Sequence, residues 1–203
     1  MDIASLVSSV VPWIGAPVSN VLSGMSFERK IGRVREVLEA LAADLASFKS
    51  EASEHYVKTE EFEELLETTL RRAAEERSAE KRRIYRDILV GAVMRPSMPY
   101  DSQLKFLKFL DNLQPLHIRV MRALLQAPAP TSVMMGSASQ TLVNRLKDIS
   151  TEDLTMLIED LNTLRLTNLT SLNTMMTGRG AQELHHYVTS SGHGFVQFVQ
   201  GAA

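Results

Sequence analysis

Cysteine is absent from all 203 residues. That removes disulfides, thiolate nucleophiles and every Cys-based zinc or iron–sulfur site. Aromatic residues are sparse at 6%, and tryptophan occurs once, at Trp13. Neither sign of charge dominates: 22 Lys+Arg face 24 Asp+Glu, a net charge of -2. A chain so balanced has no global attraction for phosphate backbones, so nucleic-acid binding would need a local patch. The chemical signatures are missing too. There is no G-x-S-x-G, no G-x-x-x-x-G-K-[ST] and no H-E-x-x-H. His185, His186 and His193 lie close together, but adjacent histidines on an expected strand point to opposite faces and cannot share one ion. We therefore expect no enzymatic activity, no metal and no cofactor.

What the chain does have is helical periodicity. Residues 3–27 carry no charge at all. Val10, Val11, Ile14 and Val18 fall at helical spacing there, diluted by serines and interrupted by Pro12, Gly15 and Pro17. With Trp13 they form the candidate membrane-contact set. Three readings of segment 1–26 stay open: a helix folded back on the body, an interfacial anchor, or an inserted helix. From residue 27 the pattern turns regular. Phe27, Ile31, Val34, Leu38, Leu41, Leu45 and Phe48 alternate spacings of four and three, the seam of a long helix packed on another. Thr59, followed by Glu60 and Glu61, is a good N-cap for a second long helix. Its apolar stripe fails across EERSAEKRR (75–83). That stretch reads either as a solvated surface with Glu67–Arg71 and similar i,i+4 pairs or as a basic patch of Lys81, Arg82, Arg83 and Arg86. Residues 27–100 are thus expected to form an antiparallel long-helix hairpin, its open seam available for self-association or a protein partner.

Residues 101–203 are expected to form a smaller unit. Helices are predicted at 102–113, 116–126 (opened by Pro115), 137–148 and 151–164 (capped by Ser150). A ribbon with a turn at Gly178–Gly180, a strand at 184–189 and a last helix at 192–200 follow. This order is winged-helix-like. The helix in the recognition position, however, carries Glu152, Asp153, Glu159 and Asp160. Carboxylates facing phosphates oppose binding, which leaves Arg145, Lys147 and Arg165 as the candidate nucleic-acid contacts and nucleic acid as an unfavoured partner. Met134, Met135, Met175 and Met176 could line an adaptable groove, but core filling is the simpler expectation.

Three stretches, RVREVLEAL (33–41), RSAEKRRIYRDILVGAV (77–93) and VTSSGHGFVQFV (188–199), with KFLDNLQPLHIRVMRALL (108–125) between them, resemble the abortive-infection Alpha-type proteins of bacteria. The resemblance implies a phage-defence role and supplies no catalytic residues. The expectation is a mainly α, non-enzymatic interaction or scaffold protein, cytoplasmic, with peripheral contact at the inner membrane face as a second state. A winged-helix transcriptional regulator is the alternative.

Overall fold

The computed structural model describes residues 28–47, 56–94, 98–129, 132 and 134–200. Over these residues the chain is mainly helical, with nine α-helices and one small antiparallel sheet. They group into two compact units, 28–108 with 198–200, and 109–197. The boundary between them falls inside a helix, after Lys108.

In the first unit, α1 (Glu28–Ser47) packs on both α2 (Glu60–Glu75) and α3 (Ala79–Met94), which also pack on each other. The start of α2 is written locally. Thr59 Oγ1 accepts from Phe62 N at 3.3 Å, and Glu60, Glu61 and Glu63 occupy the first turn, where the helix dipole favours anions. Buried Phe62, Leu65, Leu66, Leu70 and Ala73 then face inward, as do Ile84, Ile88, Leu89 and Val93 on α3. The second long helix expected from Thr59 to residue 95 is therefore two helices, broken at residues 76–78. The hairpin becomes a three-helix arrangement. The seam fails as charges take over at 75–83, and folding there lets both apolar halves cover α1.

In the second unit, the end of α4 (Tyr100–Asn112) leads into α5 (Pro115–Leu125), β1 (Met135–Gly136), α6 (Ala138–Leu146) and α7 (Thr151–Thr163). After these come β2 (Met176–Thr177), α8 (Gly178–Gln182) and α9 (Ser190–Val199). Helix α5 packs on α6 and α7, with Ile118, Met121, Leu124, Leu142, Leu154, Ile158 and Leu161 in the core. Pro115 opens α5 at a position where a missing N–H costs nothing. Ser137 and Ser150 cap α6 and α7, their hydroxyls accepting from Gln140 N at 3.2 Å and Asp153 N at 3.0 Å.

Two details of the ribbon differ from expectation. Met135 pairs with Thr177 and Gly136 with Met176, so the short strands lie at 135–136 and 176–177. Gly178–Gly180 begins α8 instead of turning a hairpin. Residues 184–187 form a 3-10 turn, and only Val188 of the expected strand bridges, to Thr167. The partner segment is too short for more. Asn168 N donates to Tyr187 O and Thr189 N to Leu166 O, and no further rung follows among the described residues. Gly192 makes this packing possible. A Cβ there would lie 2.1 Å from the Leu166 carbonyl oxygen and 2.8 Å from Val188 Cγ1.

Candidate interaction surface

The charged stretch of the first unit is solvated at Glu75, Arg77, Glu80 and Arg83, while its other basic residues are paired within the unit. Arg82 reaches α1, its Nη2 and Nε donating to Glu36 Oε2 at 2.7 and 2.9 Å. Arg86 meets Asp44 at 3.2 Å and Asp87 at 2.6 Å. Lys81 is buried beside Glu76 at 3.7 Å, and Lys30 of α1 pairs with Glu75. Arg33 Nη1 donates to the Ala74 and Glu75 carbonyls at 2.9 and 3.2 Å, satisfying oxygens left orphaned where α2 ends. Of the four basic residues expected as a patch, Lys81, Arg82 and Arg86 have internal partners and Arg83 is exposed. The Glu67–Arg71 pair forms as expected, at 2.6 Å.

The seam residues are placed unevenly. Val34 and Leu41 are buried within the chain, as is Val37, which the four-three spacing did not single out. Ile31 and Leu38 are half-buried. Covered in this way, Val34 and Leu41 offer no apolar surface to a partner while α1 to α3 stay packed. Phe27 and Phe48 lie outside the described residues, as does the side chain of Leu45. Val10, Val11, Trp13, Ile14 and Val18 also lie outside them. Among the described residues no helix is long and apolar enough to cross a membrane.

In the second unit the charges of α7 face outward. On α7 the side chains of Glu152, Asp153, Met156, Glu159 and Asp160 are exposed on one side, while Leu154, Leu157, Ile158 and Leu161 face the core. Asp160 is oriented from below: buried His117 lies with Nε2 3.0 Å from its Oδ2. His117 Nδ1 accepts from Gln114 N at 3.0 Å, so the ring proton resides on Nε2 and is donated to Asp160. The same imidazole thus caps α5 and ties it to α7.

The candidate nucleic-acid residues do not form a patch. Arg145 turns inward, donating to Ala123 O at 2.6 Å and to Gln182 O at 2.9 Å, and its burial lowers the guanidinium pKa. It is a structural clamp, and the reason is local: carbonyls at the ends of α5 and α8 lie within its reach. Lys147 and Arg165 are exposed, and both occupy the left-handed region, with φ of 62° and 56°. Lys147 ends α6; Arg165 ends α7, where Leu166 N donates back to Leu161 O at 2.9 Å. These are helix-stop positions usually held by Gly or Asn, and a cation there complements the negative end of the dipole. Their alignment follows from ending helices.

The signal passed over in the sequence is methionine. Met134, Met135, Met156 and Met175 are exposed, at 87%, 51%, 55% and 59%, and no other large hydrophobic residue is so exposed among the described residues. All four fall in the second unit, which corrects the expectation that the paired methionines fill a core. Met135 is paired with Thr177 in the ribbon, and Met175 immediately precedes β2. Among the described residues there is no group of three or more His, Asp or Glu that could hold a metal ion. His185 and His186 instead lie ring on ring, with centroids 4.0 Å apart. No protein-family model, curated protein or solved structure matches the chain.

Proposed function

We propose that the chain is a non-enzymatic interaction protein whose 109–197 unit docks a protein partner through the outward side of α7 and the β1–β2 ribbon. The observation carrying this reading is the placement of the exposed methionines. Thioethers are flexible and polarizable, so they contact varied apolar partners at low cost in shape. Four of them outside a core, with none so exposed among the described residues of the first unit, mark these positions as adapted to contact. The order α5–β1–α6–α7–β2 is winged-helix-like in this reading, with the fold used for protein contact. The alternative, a DNA-binding regulator, is disfavoured by the four outward carboxylates of α7 and by the inward turn of Arg145. A place in phage defence rests on the resemblance of 33–41, 77–93 and 188–199. Membrane contact by segment 1–26 rests on its uncharged run.

Site-specific photo-crosslinking tests the docking surface in cells. A crosslinker placed at Met156 or Met135 should capture one defined protein, and one placed at exposed Arg71 should not. Saturable retention of duplex DNA, lost in Arg165→Glu, would shift the conclusion to the regulator. For the membrane state, liposome co-sedimentation should separate the full chain from one lacking residues 1–25. Equal, negligible binding by both removes that part of the proposal.

A further inference from the structure

The break between α2 and α3 is not made by a helix-breaking residue. From Thr59 to Val90 the chain contains neither glycine nor proline, and the residues at the break are Glu76, Arg77 and Ser78. Glutamate and arginine are good helix formers, and only Ser78 favours a helix start. The bend is held by side chains. Ser78 Oγ accepts from Lys81 N at 3.2 Å, and Ser78 N donates to Glu76 Oε1 at 2.7 Å. Arg82 Nη1 donates to Arg77 O at 2.9 Å and Glu76 O at 3.3 Å, while Arg33 of α1 covers the Ala74 and Glu75 carbonyls.

In a continuous helix those two carbonyls would accept instead from Ser78 N and Ala79 N, and Arg33 would be displaced. A single chain cannot straighten, because Ile84, Ile88, Leu89 and Val93 would lose the cover that α1 and α2 provide. A second copy can supply that cover. Each contact between 28–75 and 79–108 would re-form between chains, including Glu36–Arg82 and Asp44–Arg86. We propose that residues 76–78 are a hinge through which two copies of this chain exchange, residues 28–75 of one packing against 79–108 of the other. The short connection and the helix-compatible hinge are the conditions under which exchange competes with closure. The proposal does not depend on the docking reading, since it concerns the other unit.

Ala79 allows a selective test. It is the first residue of α3, where proline fits the bent form, whereas a continuous helix would carry that proline in its interior. In the full chain, light scattering should show a concentration-dependent dimer. Ala79→Pro should reduce its association constant by about 100-fold per chain while far-UV helicity is retained. Arg33→Ala, which frees the carbonyls, should raise it. Because the chain has no cysteine, Glu36→Cys and Arg82→Cys chains can be refolded together and treated with a short bismaleimide. A cross-chain adduct is expected, and Ala79→Pro in both chains should abolish it. A full chain that stays monomeric at about 1 mM after refolding overturns the proposal. So does a dimer indifferent to Ala79→Pro, or one without the adduct, either of which assigns self-association elsewhere.

Discussion

The two units carry similar residues and use them in opposite ways. In residues 28–108, arginines and carboxylates are matched across helices, Arg82 to Glu36 and Arg86 to Asp44, and Arg33 closes the open end of α2. In residues 109–197, the carboxylates of α7 stand in solvent with methionines exposed in the same unit. A run of charge in a sequence therefore says little about binding until its partners are known. One reading of the basic run at 81–86 was an open patch, yet it is mostly occupied internally.

Core truncation should produce the largest effects and test how far each unit stands by itself. Leu70→Ala and Leu161→Ala each remove a fully buried side chain, one from each unit, and each should cost about 2–5 kcal/mol. Hydrogen exchange should show lost amide protection concentrated in the unit carrying the change. Next is Gly192→Ala. Its Cβ would meet the Leu166 backbone carbonyl as well as Val188 Cγ1, so a cost of about 1–3 kcal/mol is expected, read by denaturant melts. The contrast between the units is sharpest in the third test. Arg33→Ala leaves two carbonyls without their partner and should cost about 1–2 kcal/mol, whereas Glu159→Gln should fall within about 0.5 kcal/mol. Equal losses would show that the charges of the two units do the same job.

The smallest effect concerns acid. The Arg119 guanidinium beside Asp148 holds that carboxyl below its ordinary range, and Arg179 does the same for Glu183. Both folded-state values are depressed. Their stabilisation is therefore present above the unfolded carboxyl values and fades as pH falls through the depressed ones. Both pairs are open to solvent, so the thermal midpoint should hardly move. An NMR titration should still see the Asp148 carboxyl carbon shift late, and Arg119→Ala should return it to the ordinary range.

Much of the helical layout was legible because its signals are local. Thr59, Ser137 and Ser150 cap the helices they precede, Pro115 opens α5, and the stripes of α5 and α7 face inward as their spacing requires. The break at 76–78 was legible only in Ser78, a helix-start residue, since Arg33, which covers the Ala74 and Glu75 carbonyls, lies more than 40 residues away. LHHYVT carries strand-favouring Tyr, Val and Thr, but a strand needs a neighbour, and the 166–168 segment provides only a short one. For the candidate sites, residue type misled more than position did. Lys147 and Arg165 are basic and exposed, as a nucleic-acid surface demands, yet their left-handed backbone shows that each ends a helix. Arg145 looked like their companion and is a clamp. The methionines passed as ordinary apolar filling because sequence cannot separate a buried thioether from an exposed one.

Those methionines also bear on the first thing noticed about the chain. A protein without thiols has no reversible sulfenic or disulfide chemistry, but an exposed thioether oxidises to a polar sulfoxide and can be reduced again. Mild peroxide should reach Met134, Met135, Met156 and Met175 well before buried Met121, and peptide mass spectrometry can rank them. Each conversion replaces an apolar contact with a strong acceptor on the surface assigned to docking. Oxidation of these side chains is expected to loosen that contact while leaving buried Met121 and the core around it intact.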